Sequence, residues 1–272
     1  MTLRTETVAA EAMDLAKSIL SAPNDDERTY KSDRDFATAT DYAIEDAVRE
    51  LLADRTPDLG FLGEERGHTG NREKYWCLDP IDGTTNFVRG IPNYGVSLAL
   101  IEDGSPTFGS VALPAHHEDY RTVDGAAYLN GERLSVASID RLADAVVAVG
   151  DFATGEQSAE KNRRRLAMID ALSGRVGRVR MLGSAATDLA WLAAGRLDAV
   201  VIDSNHSWDV SAGIAIARSA GSQVTGINGK DYSLESNDLL AASPGIQLEL
   251  TSILSSAREE GRYDSSVDWE RR

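Results

Sequence analysis

The feature that most constrains this chain is the run of residues 76–87, whose apolar start predicts a buried strand. Pro80 is expected to end that strand, because proline has no N–H and a fixed φ. Asp79 and Asp82 flank the break and place two carboxylates close together in the chain. Carboxylate oxygens suit Mg²⁺, which proteins usually hold through one or two acids together with a substrate phosphate. The run therefore predicts a hard-cation site at the end of a strand.

A loop suited to an anion follows directly. Gly83, Thr84 and Thr85 suit the entry into a helix, where free backbone N–H groups and the helix dipole attract phosphate. For Asp79 and Asp82 taken alone, an acidic turn with capping residues is the alternative, since Asp and Gly are ordinary turn residues. The run by itself leaves both interpretations open.

Two distant acidic pieces favour the metal site. Glu64 and Glu65 follow an apolar stretch, and Asp209 follows Trp208 before a helix of small residues. Gly-Glu-Glu, Asp-Pro-Ile-Asp-Gly-Thr-Thr-Asn-Phe and Trp-Asp occur in this order, which resembles the inositol monophosphatase family of Mg²⁺-dependent, lithium-sensitive sugar-phosphate phosphatases. The resemblance covers roughly residues 5–257 and implies the layered α/β/α/β/α sandwich of these sugar phosphatases.

The resemblance also implies which residues bind metal. Asp79 would bridge two Mg²⁺ ions, and Glu65 would reach a third ion or lie outside the first ligands, giving two or three Mg²⁺ per site. Packing several acids together is unfavourable without cations, because like charges repel strongly at low dielectric. The implied ligands are Glu64, Glu65, Asp79, the Ile81 carbonyl, Asp82 and Asp209.

Phosphate monoesters are so inert that an enzyme must supply on the order of 20 kcal/mol. The chain has no cysteine in a phosphate-binding signature, so metal catalysis is what remains. By resemblance, Thr84 is hydrogen-bonded to Asp41 and orients and deprotonates the attacking water. The N–H groups of Gly83 and Thr84 would hold the phosphate. Thr40 or Asp41 is also a predicted helix N-cap.

The substrate is less well defined by the sequence. Gly183 and Ser184 resemble the family's loop that contacts the sugar. Relatives selective for inositol carry a glutamate where this chain has Ile202, and Asp203 is the alternative acceptor of substrate hydroxyls. Inositol 1-phosphate is the expected substrate, with a fructose-1,6-bisphosphatase or a dual enzyme as the alternative. A catalytically idle metal-binding or regulatory protein on the same scaffold is the hypothesis from another class.

Composition narrows the class of partner. The formal net charge of -16 argues against nucleic acid, whose phosphates need a basic surface. Of the 28 basic residues only five are lysines, and an acidic, lysine-poor surface suits a salt-rich cytoplasm. No apolar run approaches the ~20 residues that span a bilayer, and the N-terminus lacks a signal peptide's apolar stretch. We therefore expect a cytoplasmic protein, and the family resemblance implies a homodimer.

Periodicity divides the chain into two halves. Residues 1–141 read as helices followed by antiparallel strands, which predicts an α+β half carrying most metal ligands. Residues 142–257 alternate strands and helices, which predicts an α/β half carrying Asp209 and the substrate loop. Residues 258–272 are charged and aperiodic and are expected to form a mobile tail.

Overall fold

The computed structural model describes residues 3–22, 27–32, 35–155 and 158–263. Its helices are α1 (Leu3–Leu20), α2 (Ala39–Arg55), α3 (Thr84–Arg89), α4 (Ser158–Ser173), α5 (Ala185–Ala193), α6 (Ser207–Ser219) and α7 (Gln247–Tyr263). The strands of the first half are β1 (Arg28–Ser32), β2 (Asp35–Thr38), β3 (Gly60–Gly63), β4 (Gly67–Thr69), β5 (Lys74–Asp82), β6 (Gly95–Glu102), β7 (Ser105–Leu113), β8 (Glu118–Val123), β9 (Ala126–Leu129) and β10 (Glu132–Arg133). Those of the second half are β11 (Val146–Val149), β12 (Arg178–Arg180), β13 (Ala199–Asp203), β14 (Gln223–Thr225) and β15 (Asp238–Ala242).

The first half builds a mostly antiparallel sheet in the order β10-β9-β8-β7-β6-β5-β3-β4. Strands β3 and β5 run parallel, whereas β5 to β10 pair antiparallel with their neighbours. The turn at Asn130 and Gly131 has positive φ at both residues, as the Asn-Gly dipeptide predicts for a tight hairpin. The antiparallel meander explains why this half reads as successive short strands.

The second half builds a mixed sheet in the order β12-β11-β13-β15-β14. Strands β12, β11 and β13 are parallel, and β15 is antiparallel to both of its neighbours. Parallel neighbours require a long crossover connection, which α4 and α5 supply. The predicted alternation of strands and helices is therefore present in this half.

Helices and sheets stack in five layers. Helices α1 and α2 cover one face of the first sheet, where Ile44 and Trp76 share a buried cluster. Helices α5 and α6 lie between the sheets, so that Ala190 packs on the first sheet and Leu189 on the second. Helices α4 and α7 cover the outer face of the second sheet, where Leu254 is buried. The predicted layered α/β/α/β/α sandwich is confirmed.

Strand β13 divides its side chains between two layers, because successive residues of a strand face opposite sides. Val200 and Ile202 pack in the cluster formed with α5 and α6. Ala199 and Val201 pack in the cluster formed with α4 and α7. Asp203 lies two residues after Val201 and therefore faces the same side of the sheet as Ala199 and Val201. The alternation decides which of the two helical layers each residue at the end of this strand faces.

Strand β5 does not end at Pro80, which corrects the sequence prediction. The strand continues to Asp82, and its register with β6 is irregular between Asp79 and Asp82. Proline is tolerated at such an irregularity, because the ladder hydrogen bond that it cannot donate is already interrupted there.

The predicted tail boundary at residue 258 is also wrong. Helix α7 continues to Tyr263, and Arg258 forms ion pairs with Asp203 and Asp238. A lone arginine in an aperiodic segment does not reveal such distant partners. Residues 264–272 of the predicted tail lie outside the described residues. Among the helices of the described residues, none is long and apolar enough to cross a membrane. The division at residue 141 stays a prediction.

Candidate active site

Strand β5 delivers two buried carboxylates to the end of the first sheet. Asp79 pairs with Ser97 and Asp82 pairs with Gly95, so three steps along β5 match two steps along β6. The extra residue is a β-bulge, which re-aims side chains. Residues three apart in a regular strand face opposite sides of a sheet. The bulge therefore explains how both aspartates can face one site.

The loop after β3 carries the two glutamates. Strand β3 ends at Gly63, which frees Glu64 and Glu65 from strict alternation, as the sequence predicts. The buried carboxylate of Glu45 accepts hydrogen bonds from the N–H of Glu65 at 2.7 Å and of Arg66 at 2.9 Å. A Cβ at Gly63 would lie 2.2 Å from the Glu45 side chain, so a larger residue there would have to displace the Glu45 carboxylate. Glu45, which sequence reasoning missed, thus positions this loop.

Lys31 in β1 contacts both glutamates. Its Nζ lies 2.7 Å from Glu64 Oε1 and 2.6 Å from Glu65 Oε1. Burial lowers the pKa of Lys31, but the charges and hydrogen bonds of the two glutamates outweigh burial and raise it overall. Burial raises the pKa of Glu65 to about 7, despite the hydrogen bond from Lys31. A positive charge therefore already stands beside two of the predicted metal ligands.

Two further aspartates lie in the first turns of helices. The N–H of Thr38 donates to Asp41 Oδ2 at 2.7 Å, and the N–H of His206 donates to Asp209 Oδ2 at 2.8 Å. Both bonds belong to capping boxes at the starts of α2 and α6. The predicted N-cap at Thr40 or Asp41 is corrected, because Thr38 is the N-cap and Asp41 is its partner three residues later.

The start of α5 binds Asp82 across the two halves. Ser184 Oγ donates a hydrogen bond to Asp82 Oδ2, and the N–H of Ala186 donates to the same oxygen at 2.7 Å. Ser184 also caps α5, because its Oγ accepts the N–H of Thr187 at 3.1 Å. The second half therefore fixes the position of an acid that the first half supplies.

The acids share one electrostatic environment. Burial first, and then the charges of Glu64, Asp82 and Asp209, raise the pKa of Asp79 well above its ordinary value. Burial raises the pKa of Asp82 to about 6, against the hydrogen bond from Ser184. Asp209 keeps part of its surface exposed, yet its carboxyl is enclosed enough for burial, with repulsion from Asp82 and Glu64, to raise its pKa to about 8.

This donor set fits a hard divalent cation. Asp79 Oδ1 and Asp41 Oδ1 are buried and accept no hydrogen bond. A cation would satisfy such oxygens and offset the repulsion among the carboxylates. Across the described ranges, no three His, Cys, Asp or Glu side chains stand close enough to form a preassembled metal group. Glu64, one of the predicted metal ligands, forms an ion pair with Lys31.

Comparison with known proteins identifies the fold's family. Residues 2–261 match the family model described as the inositol monophosphatase family. The chain belongs to the inositol monophosphatase family. It is 34% identical over 258 residues to inositol-1-monophosphatase ImpA of Mycolicibacterium smegmatis, a match that spans 94% of this chain and 93% of that protein. It is therefore a phosphomonoesterase of the inositol monophosphatase type, in a family that depends on Mg²⁺.

Two further members show the breadth of the family. The chain is 32% identical over 230 residues to the fructose-1,6-bisphosphatase/inositol-1-monophosphatase of Thermotoga maritima, covering 84% of this chain and 85% of that protein. The crystal structure of extragenic suppressor protein suhB from Bartonella henselae superposes with a TM-score of 0.84 at 30% identity, covering 92% and 98% of the two chains. Both matches extend over the two halves.

One predicted contact of the family site is absent. Thr84 Oγ1 donates to the Ile81 carbonyl at 3.0 Å, and within the described residues no hydrogen bond joins it to Asp41. Asp41 Oδ2 accepts both the N–H and the hydroxyl of Thr38, whereas its Oδ1 has no hydrogen-bond partner. Gly83 has φ +87° and is the N-cap of the short helix α3, whose six residues give only a small dipole. The predicted phosphate contact through the backbone N–H groups of this turn stays a prediction.

The predicted role of Asp203 in substrate binding is corrected by its surroundings. Asp203 is buried, and its two oxygens contact Arg164 Nε at 3.3 Å and Arg258 Nη2 at 3.0 Å. Ile202, not Asp203, lines the cavity of about 170 Å³ beside Asp82. Because Asp203 does not line that cavity, it is not placed to accept substrate hydroxyls there.

Two residues that sequence reasoning missed line the same cavity. Asp188 Oδ1 and Arg165 Nε are buried without a hydrogen-bond partner. Burial, followed by the charge of Asp82, raises the pKa of Asp188 well above its ordinary value. The sequence did offer one signal for Asp188, because it is the single acidic residue among the small and apolar residues of α5. A larger cavity of about 450 Å³ between α1, β7 and β8 is lined by none of the acids of this site.

Proposed function

We propose that this chain hydrolyses the phosphate monoester of a small polyol or sugar by in-line attack of water, with inositol 1-phosphate as the first candidate. A fructose-1,6-bisphosphatase or a dual enzyme is the alternative. The observation that carries the proposal is that Asp82 of the first half and Asp209 of the second half line one cavity, while burial and, after it, the charges of Glu64 and of both aspartates raise the pKa of Asp79.

Mg²⁺ is the cofactor that these residues support. Glu64, Asp79 and the Ile81 carbonyl would hold one ion, and Asp79, Asp82 and Asp209 a second, with Glu65 available for a third. When bound, Mg²⁺ supplies charge that stabilises phosphoryl and leaving oxygens and acidifies water. The buried, unpartnered Asp79 Oδ1 supports a role as the shared ligand.

The neighbouring residues would bind and orient the reactants. In the proposal, the N–H groups of Gly83, Thr84 and Thr85 hold the phosphate. The hydroxyl of Thr84 orients the attacking water, and Asp41, whose buried Oδ1 is unpartnered, is the group that accepts the proton of that water. Gly183 has φ +77° and brings backbone to the edge of the cavity, where it can meet the sugar.

Several broader properties are also part of the proposal. We infer a homodimer and a cytoplasmic location from the family resemblance. A salt-adapted surface is inferred from the net charge of -16 and the scarcity of lysine. Salt adaptation would appear as loss of folding at about 0.1 M salt and recovery at multi-molar salt, measured by circular dichroism. Equal spectra at both concentrations would contradict it.

The test of function is Mg²⁺-dependent release of phosphate. Purified protein is incubated with p-nitrophenyl phosphate, inositol 1-phosphate and fructose 1,6-bisphosphate, with Mg²⁺ or with EDTA. We expect turnover that requires Mg²⁺ and that favours one of the metabolites over p-nitrophenyl phosphate. Absence of Mg²⁺-dependent turnover of every phosphate ester would support the idle-scaffold hypothesis instead.

A further inference from the structure

The proposed ligands Glu64 and Glu65 lie in a turn at the edge of the first sheet. They belong to the turn between β3 and β4, which the pair of Gly63 and Gly67 closes. In the described part of the chain, β4 is the last strand of this sheet and pairs with β3. An edge hairpin has neighbouring strands on one side only, so the sheet by itself does little to fix its turn. Contacts from outside the sheet must therefore position the two glutamates.

Arg49 connects this turn to helix α2. Its Nη2 lies 2.7 Å from Oε1 of the buried Glu45, the carboxylate that accepts the N–H groups of residues 65 and 66. The same Nη2 donates to the carbonyl of Gly67 at 3.1 Å, and Nη1 donates to Thr69 Oγ1 at 2.9 Å. One guanidinium group therefore contacts the helix, the end of the turn and strand β4.

Strand β3 supports the same guanidinium from below. Arg49 Cζ lies 4.4 Å from the centroid of the Phe61 ring, which is within the range of a cation–π contact. Only 18% of the Arg49 side chain is exposed, so the long chain has little freedom to leave this position. A planar guanidinium with five donors can bind several acceptors at once, whereas an ammonium group acts as a single point charge.

The contacts of Arg49 favour a positioning role over a purely stabilising one. Its Nε is buried and, among the described residues, has no hydrogen-bond partner, which costs stability. A buried ion pair such as that of Arg49 with Glu45 is often no more stabilising than apolar residues of the same volume. What the pair does fix is the direction of the Glu45 carboxylate, and with it the backbone of the turn.

Helix α2 links this turn to another part of the candidate site. Asp41, the proposed proton acceptor, and Glu45 are both buried and lie four residues apart, on the same side of α2. The capping box at Thr38 fixes the start of the helix. The position of Glu64 relative to Asp41 is therefore set by α2, through Glu45 and Arg49.

We propose that Arg49 is a positioning residue for the Mg²⁺ site, because through Glu45 it fixes the turn that presents Glu64. The inference rests on the phosphatase function and the Mg²⁺ ligands proposed above. Residues behind a metal ligand typically change metal affinity by about 10–100-fold when they are replaced. Loss of Arg49 should therefore weaken binding of the ion that Glu64 holds, whereas turnover at saturating Mg²⁺ should be retained.

The test compares the wild type with Arg49→Gln, Arg49→Lys and the control Arg55→Gln. Arg55 lies on the same helix, and its replacement also breaks an ion pair, with Glu11 of α1. The rise of the thermal unfolding midpoint with Mg²⁺ concentration gives a dissociation constant that does not depend on turnover. Hydrolysis of p-nitrophenyl phosphate gives kcat and the half-saturating Mg²⁺ concentration.

We expect both Mg²⁺ constants to rise about tenfold in Arg49→Gln, with kcat at saturating Mg²⁺ close to that of the wild type. Arg49→Lys should show a smaller rise, because it keeps a positive charge beside Glu45 but loses the fork of donors. Arg55→Gln should keep the constants of the wild type, although its midpoint without Mg²⁺ can be lower.

The outcomes separate the two proposals. A wild type whose midpoint and turnover do not respond to Mg²⁺ would overturn the metal site of the proposed function and this inference with it. A wild type that binds Mg²⁺, with equal dissociation constants in Arg49→Gln and Arg55→Gln, would overturn this inference alone and leave Arg49 as a stabilising residue. If Arg49→Gln does not fold, Arg49→Lys decides: a dissociation constant equal to that of the wild type overturns the inference, and a higher one supports it.

Discussion

The two adjoining cavities of this chain solve the problem of buried charge in different ways. The acidic cavity holds Asp82 and Asp209, whose pKa values are raised chiefly by burial. The neighbouring cationic cavity, which has a volume of about 360 Å³ and shares Ser204 with the acidic one, holds Arg164 and Arg258, which share the buried carboxylate of Asp203. The carboxylates of the acidic cavity need a cation from outside the protein. The arginines of the cationic cavity are already paired with a carboxylate of the protein itself. A buried group of like charges without protein partners, such as these acids, therefore indicates where a ligand of opposite charge binds.

The alternation of β13 produces this contrast. Ile202 and Asp203 are adjacent in the chain but face different helical layers. The acids reach their cavity from a bulged strand, a loop and two helix starts, while the arginines reach theirs from α4 and α7. Opposite charges are therefore kept apart by one strand, and the following predictions act on one side at a time.

The largest effect is expected when the acidic cavity loses one ligand. Asp82→Asn should lower Mg²⁺-dependent phosphatase kcat by about a thousandfold, because an amide cannot supply the negative charge that holds the cation. The far-ultraviolet circular-dichroism spectrum should not change. Asp103→Asn is the matched control, since Asp103 is exposed in a turn with φ +50°, which asparagine tolerates. Turnover near that of the wild type in Asp82→Asn would remove Asp82 from the site.

A smaller effect, on stability, is expected from breaking the cationic cavity. Asp203→Asn leaves Arg164 and Arg258 without their shared partner, and breaking a buried ion pair costs about 3–5 kcal/mol. The free energy of unfolding in urea measures the loss. Asp54→Asn, at an exposed position, should change it by less than about 0.5 kcal/mol. Equal stability of the two variants would show that Asp203 does not anchor the arginines.

The smallest effect distinguishes the cavities by pH. In EDTA, the folded protein binds more protons than the unfolded chain between the ordinary pKa of 3.8 and the raised pKa of Asp209, about 8. The stability of the metal-free protein should therefore be greatest at the acidic end of this window and fall as pH rises. Arginines stay charged throughout, so the cationic cavity adds no such slope.

Thermal unfolding midpoints across that pH window measure this effect. Addition of Mg²⁺ should raise the midpoint more at the alkaline end, where the acids are ionised and bind the cation. Asp82→Asn should flatten the slope in EDTA, because it removes one of the repelling acids. A midpoint in EDTA that rises steadily with pH would contradict the raised pKa values.

Particular residues show how far sequence reasoning reached. Asp79, Asp82 and Asp209 could be predicted as members of a site, because their motifs are long and their order matches the family. Glu45 and Arg165 could not, since a helical acid and one arginine in a basic run carry no distinctive local signal. Their roles follow from partners far along the chain, at Arg66 and Asp203, which only folding brings near.

The errors at Pro80 and Asp41 have a local cause. Proline ordinarily ends a strand, but the bulge beside β6 removed the hydrogen bond that would have excluded it. The family resemblance implied a hydrogen bond between Asp41 and Thr84, whereas Asp41 Oδ2 accepts the backbone N–H of Thr38. At Pro80, a rule that is correct for an isolated strand was overridden by the neighbouring strand.

The sequence by itself determined the periodic elements, the family and the chemical nature of the ligands, because these depend on residue type and spacing along the chain. The tertiary structure alone decided which acids face one another, that Asp203 turns away from the acidic cavity, and that Arg49 contacts the turn of Glu64 and Glu65. These relations depend on strand register, on the bulge in β5 and on the layer that each helix occupies. They are set by packing between residues far apart in the chain, which no local pattern encodes.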